Sequence, residues 1–396
     1  MKYFHLAALL LWSAINAMAG VELTAPAPQQ YAMYGYGVSA NGNTLAVINN
    51  GYTGVIYVYQ PAAKNWNTAT LVAQLTASNG ATFSSVAVYG NVIVAGALEQ
   101  NNAQGVVYGF TEPESGWQNA NQSFVLTASD GAANDDFGNA VTFSKKTIVV
   151  GAPGHTSSAG AAYVFTEPTN GWASGTQTAE LTPSNGGAIG LGSSVAVNGA
   201  FVAVGTEGSG GGSGAAYVYQ ENPGGWQNST EQAQLSYKEG EPCDTGLSVA
   251  IVSSTIVVGA TCRYTVPGRA LVYERPGNAW SSTSTPTAVL TYQASEAGGQ
   301  VFSLALTDKF LLVGDPGAGV GQDYEGGVFV YSAPKGGWEN VINSTPSEEL
   351  RGGSGDKYSD FGYSLAAEST GALFIGAPGF RIDGEAEAGA VFIKSY

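Results

Sequence analysis

The segment Phe380-Arg381-Ile382-Asp383-Gly384-Glu385-Ala386-Glu387 sets carboxylates at alternate positions. That spacing can aim Asp383, Glu385 and Glu387 at one cation, as calcium loops do, which makes calcium the cofactor to consider and these three the metal candidates. A solvated acidic loop is the competing reading, because no recognised loop signature is completed. A second acidic stretch holds Asp315, Asp323, Tyr324 and Glu325. The candidate ligand-binding set is therefore Asp323, Glu325, Arg381, Asp383, Glu385 and Glu387, with Asp356 and Asp360 close by in sequence. Asp136 and Asp360 each precede Phe-Gly and read as turn formers that bond nearby backbone N–H groups.

Other reactive residues are few. Outside the N-terminal leader the histidine is His155, so a Ser-His-Asp triad or a zinc or copper site would have to rely on it alone. It is expected to be an exposed loop residue, and no catalytic residue is assigned. Hydrolysis by carboxylates alone would need two opposed acids at a defined separation. Cys243 and Cys262 flank a hairpin centred near Ser253 and Ser254, which sets them nearly opposite each other and predicts a disulfide.

The elements that must position these residues are repeated. A glycine closing an apolar run recurs at Gly96, Gly151, Gly205, Gly259, Gly314 and Gly376, with Asn49 in its place in the first unit. Leu75, Leu126, Leu181, Leu235, Leu290 and Leu350 keep step, as do Trp66, Trp117, Trp172, Trp226, Trp280 and Trp338. Markers agreeing on a period of roughly 50 to 60 residues imply seven stacked units. Each unit has four short runs rich in Val, Ile, Tyr and Phe, in the third Asn139 to Phe143, Thr147 to Val150, Ala161 to Phe165 and Ala179 to Thr182. Four antiparallel strands per unit predict an all-β, seven-bladed β-propeller almost without helix.

Tight first links such as Asn41-Gly42-Asn43 and the Trp-bearing third links fall on one face, the bottom; the longer second links and the blade-to-blade connections fall on the top. The seventh unit stops after its third strand, and Val21-Glu22-Leu23-Thr24 matches the fourth-strand tail Ala179-Glu180-Leu181-Thr182. The N-terminal strand 21–24 should therefore complete the last blade and close the ring. The aromatics Tyr57, Tyr108, Tyr163, Tyr217, Phe329 and Phe392 share one third-strand position and should pack between blades. The six bottom Trp residues are expected to pack too, with a ring of sugar-stacking platforms as the alternative.

Residues 1–19, with Lys2, an apolar stretch from Leu6 to Ile15 and Ala17-Met18-Ala19, read as a secretory signal peptide, leaving 20–396 as one propeller domain. The apolar stretch is shorter than the ~20 residues of a membrane span, and no later segment could cross a bilayer. The formal net charge of −16 becomes −17 without Lys2, with 13 basic against 30 acidic residues. Nucleic acid and anionic membranes are not expected as partners, because phosphate binding needs a basic patch and the chain has no run of basic residues.

Phe137-Gly138 followed by Val149-Val150-Gly151-Ala152-Pro153, and Phe361-Gly362 followed by Ile375-Gly376-Ala377-Pro378, resemble the FG-GAP repeat of integrin alpha-subunit propellers and exported microbial proteins. Asp130-Gly131-Ala132-Ala133-Asn134-Asp135-Asp136 strengthens the likeness to the microbial type. The motif degrades elsewhere: Leu191-Gly192 and Thr245-Gly246 keep only the glycine, and Phe83 and Val301 stand in its place in units two and six. The integrin calcium loop would lie between first and second strands, where this chain has only Ser144-Lys145-Lys146, Val252-Ser253-Ser254 or Thr307-Asp308-Lys309.

The resulting expectation is a secreted binding or adhesion module, extracellular or, in a bacterium, periplasmic or at the cell surface. Its top-face loops across blades six, seven and one would recognise a glycan or an extracellular protein. A carboxylate-dependent saccharide-acting enzyme and a purely structural envelope or matrix protein are the alternatives. In a eukaryotic source Asn121, Asn228 and Asn343 would be glycosylation acceptors, all on bottom links.

Overall fold

The computed structural model describes residues 20–396 except 52–53, 63–64, 185–188, 207–213, 239–242, 263–267, 293–300, 320–324, 340 and 353–357. The leader, Asp323 and Asp356 lie outside the described residues. Seven sheets form seven blades, each an antiparallel meander. In the third blade Ala140–Ser144 pairs with Thr147–Ala152, then Ala161–Thr166, then Ala179–Thr182. The innermost strands contact one another in blade order, and Ser364–Ala367 of blade seven contacts Tyr34–Asn41 of blade one. The ring closes as expected: Val21–Leu23 pairs with Ala390–Ser395.

Four blades carry a fifth strand that the repeat pattern did not predict. Ala120–Asn121, Gly175–Thr176, Ser229–Thr230 and Ile342–Ser344, all from the Trp-bearing link of the following blade, pair parallel with a preceding outer strand. Side chains reinforce these seams: Asn119 and Asn228 accept from the backbone N–H of Gln74 and Glu180, at 2.8 and 2.9 Å. Two proposed acceptor asparagines, Asn121 and Asn228, thus sit on exposed seam positions.

The Phe-Gly and Gly-Ala-Pro glycines belong to one contact. Gly138 and Gly192 have φ of +94° and +103°, in the left-handed region that favours glycine. Each approaches the glycine that closes the second strand of the preceding blade, in Gly96-Ala97-Leu98 or Gly151-Ala152-Pro153, so closely that a Cβ on Gly96 or Gly151 would lie 2.0 or 1.9 Å from the facing carbonyl oxygen. Between these backbone contacts the blades bury aliphatic strands: Ile148, Val149 and Val150 are fully covered, worth roughly 1.5–3 kcal/mol each. The third-strand aromatics are buried, and Trp66, Trp117, Trp226, Trp280 and Trp338 are at most 8% exposed. They are packing residues. Cys243 and Cys262 are register partners at the top of the first hairpin of blade five and form a disulfide.

Candidate functional site

Two top-face regions gather polar side chains. The first is the long link of blade seven. Its backbone is tied to the ring: Tyr31 and Met33 donate N–H groups to the carbonyls of Ala386 and Glu387, at 3.0 and 2.9 Å, and Gly389 donates to Phe380. Ile382 and Glu385 exchange backbone bonds across a tight turn. On this frame Arg381, Asp383, Glu385 and Glu387 are exposed. Tyr31, 45% exposed, and Tyr358, 62% exposed, flank the link. Asp360 lies beside it, its carboxyl pushed up to about 6 by burial and then by the charge of Glu387.

In the neighbouring blade six the two candidate acids among the described residues, Asp315 and Glu325, are buried. Asp315 is fully buried, accepting from the Tyr292 hydroxyl at 3.1 Å and the Gly317 N–H at 3.0 Å. Glu325 is 5% exposed, enclosed where the link returns into the sheet, so it is not a surface ligand.

The second region, on blade three, was missed because its members are scattered along the sequence. His155 was expected to be exposed; instead its side chain is only 13% exposed. The cause is the turn that carries it. Thr156, Ser157 and Ser158 have φ between 49° and 71°, and this left-handed turn folds the ring inward under Tyr163, edge-on at 5.9 Å. Nδ1 of His155 lies 2.9 Å from Oδ2 of buried Asp135, which also accepts the Ala132 N–H at 2.8 Å. Asp135, rather than Asp136, is therefore the carboxylate that holds the turn before Phe-Gly. Nε2 faces Oε1 of Glu180 at 3.7 Å and Oδ2 of Asp130 at 3.8 Å. The Tyr163 hydroxyl donates to Oδ1 of Asp130 at 3.1 Å.

Four elements meet here: the connection leaving blade two supplies Asp130 and Asp135, the top link of blade three His155, and its two outer strands Tyr163 and Glu180, which are register partners. Burial, followed by the Asp130 charge, raises the Glu180 carboxyl, while His155 pulls it down. Burial and the surrounding carboxylates hold the Tyr163 phenol well above its ordinary value. Among the described residues, Asp130, His155 and Glu180 have ligand atoms within 4.8 Å of one another; Asp383, Glu385 and Glu387 are not gathered in this way. A polar groove of about 420 Å³ opens on the bottom face beside Arg275, Asp308, Trp338 and Glu339, away from both regions.

The model of the FG-GAP repeat matches residues 121–165, from the seam of blade two to the third strand of blade three. This stretch is an FG-GAP repeat in a seven-bladed propeller. The matched repeat contains Asp130, Asp135, His155 and Tyr163, and the glycine contact described above is its physical content. Among curated proteins none matches the chain. Among solved structures, hydrazine synthase from Kuenenia stuttgartiensis is similar at a TM-score of 0.55 and 10% identity, over 96% of this chain and 99% of that one. That likeness concerns the fold alone. No helix among the described residues is long and apolar enough to cross a membrane.

Proposed function

We propose that this FG-GAP propeller is an exported binding module whose top face, at the blade-seven link and its junction with blade one, recognises a glycan. The observation that carries this reading is the pairing of exposed Tyr31 and Tyr358 with the exposed carboxylates Asp383, Glu385 and Glu387 on a link pinned to the ring. Tyrosine offers a sugar an apolar ring face and a polar tip. Carboxylates accept from its hydroxyls. A loop fixed before binding loses little entropy on capture. Arg381 adds a donor for acidic sugars.

The test is an array of glycans and extracellular proteins probed with the mature chain, with and without calcium. Asp383→Asn, Glu385→Gln and Glu387→Gln together are expected to abolish capture while the melting curve stays in place. Unchanged capture by the triple variant would remove this link from the site, and protein spots alone responding would replace the glycan with a protein partner. A second reading, a carboxylate-dependent saccharide-acting enzyme, is supported by the raised carboxyl of Asp360 beside Glu387. It requires release of reducing sugar from a captured glycan, lost in Asp360→Asn.

A further inference from the structure

We infer that Asp130, His155 and Glu180 form a site for one divalent first-row transition-metal ion, with Asp135 as the residue that positions the imidazole. The site is distinct from the blade-seven link and independent of its proposed role.

The ligand atoms come first. His155 engages Asp135 through Nδ1, and a carboxylate can only accept, so Nδ1 is the donor and Nε2 is the ring atom left to take a metal ion in place of a proton. The facing oxygens of Glu180 and Asp130 stand 3.7 and 3.8 Å from Nε2, beyond hydrogen-bond reach. In a tetrahedral centre with bonds of about 2.0–2.2 Å, neighbouring ligand atoms are about 3.4 Å apart. The observed gaps close by small rotations of Asp130 and Glu180, whose side chains are 43% and 20% exposed, around an imidazole that is held. The exposed side at Asp130 leaves a fourth position open to water or a ligand, as in three-ligand zinc sites.

The surroundings have the outer shell that metal ligands require. A buried carboxylate receiving the second imidazole N–H orients the ring, and the Tyr163 hydroxyl fixes Asp130 through Oδ1, leaving Oδ2 to face inward. Charge points the same way, because Asp130, Asp135 and Glu180 converge on a single imidazole and a dication would offset two of those charges. One imidazole with two carboxylates suits zinc and its neighbours better than calcium, which takes six to eight oxygens.

Other blades supply the control. Blade two has the same turn, with Asn101, Asn102 and Ala103 at φ of 55–59°, but Gln100, Asn79 and Val125 occupy the positions of His155, Asp130 and Glu180. There Asn79 donates to both Gln100 and Tyr108 at 2.9 Å, a closed neutral network. In blade seven Phe380 takes the histidine position and packs edge-on against Phe392 at 5.3 Å. The frame therefore needs no metal to fold, and the charged version in blade three is an addition to it.

Tag-free mature chain, stripped with chelator, is titrated with Zn²⁺, Co²⁺, Mn²⁺ and Ca²⁺ by calorimetry and melted with each ion. The expected result is one Zn²⁺ per chain, a higher melting temperature with zinc, and little response to calcium. Asp130→Asn with His155→Gln installs the amide pair that blade two has at Asn79 and Gln100, so it should keep the chelated melting curve and lose at least tenfold in zinc affinity. Asp135→Asn should weaken zinc by about 10- to 100-fold with the chelated melting curve unchanged, which a structural role alone would not produce. Should the double variant fail to fold, Glu180→Gln is the substitute. The blade-seven triple amide variant should bind zinc normally. Absence of saturable binding by any of the transition-metal ions, or full binding in the double variant or its substitute, overturns the proposal.

Discussion

Blades two and three are built on one frame and differ in what they mount on it. Both have a left-handed turn in the top link, a tyrosine on the third strand at Tyr108 or Tyr163, and a Gly-Ala glycine touching the next blade. Blade two joins its turn to the preceding connection through amides; blade three does so through carboxylates and an imidazole. The tyrosine hydroxyl reverses its role accordingly, accepting from Asn79 but donating to Asp130, because a carboxylate can only accept. Asp135 stands two residues before Phe137, where the connection of blade two has Ala81 before Phe83. An amide network satisfies itself, whereas three carboxylates around one imidazole leave charge to be met from outside.

The largest effects should be shared by the two blades. Gly96→Ala and Gly151→Ala each drive a Cβ to about 2 Å from a carbonyl oxygen of the next blade. Each is expected to cost about 3 kcal/mol or more, or to prevent soluble expression. Denaturant unfolding measures this, and a mild effect at either site would break the common-frame argument.

Transferring the chemistry should come next. Asn79→Asp, Gln100→His and Val125→Glu in blade two should raise zinc stoichiometry from one to two. The new site should be the weaker by about 10- to 100-fold, since Ala81 cannot orient the imidazole. A grafted chain that still binds one zinc would show that more than these three positions separates the blades.

A smaller contrast lies in the phenols. Tyr163→Phe removes a bond to a carboxylate and should cost about 1.5 kcal/mol, against about 0.5 for Tyr108→Phe, which leaves the bond from Asn79 to Gln100 in place. Equal losses in chemical denaturation would mean that the carboxylate adds nothing to the contact.

The smallest effect compares the aspartates before Phe-Gly, Asp136 in blade three and Asp360 in blade seven. Both carboxyls are raised, first by burial and then by a neighbouring carboxylate, that of Asp360 to about 6. A folded-state value above the unfolded one means that the native state holds the proton more tightly. Stability should therefore fall as pH rises from about 4 to 6. Asp360→Asn should flatten that fall and gain about 1 kcal/mol at pH 7 after allowance for solvent screening, with no gain at pH 4. Asp136→Asn should act in the same direction. Melting temperatures across this range decide it, and an unflattened profile would assign the pH response elsewhere.

The ring was legible because its cause is periodic. Alternating apolar strands, the glycine contact and the Trp pillars recur at a fixed spacing, so the blade count, the closure by Val21–Leu23 and the pairing of Cys243 with Cys262 all followed from position in a repeat. The fifth strands were not legible, because two or three residues of polar seam carry no hydrophobic pattern.

The candidate sites divide along the same line. Adjacent acids in one link, Asp383, Glu385 and Glu387, stand out along a chain, and tertiary structure left them exposed but unconverged. Glu325 read as a surface acid, and the return of the link into the sheet buried it. By itself the sequence determined the architecture, because identical units can bury their faces only against one another. The cluster at His155 was decided by tertiary structure alone: Asp130 and Glu180 are 50 residues apart, and what joins them is a left-handed turn and the register of two outer strands. A repeat pattern shows where blades meet; which unlike side chains come together where they meet depends on local backbone conformation that no periodicity encodes.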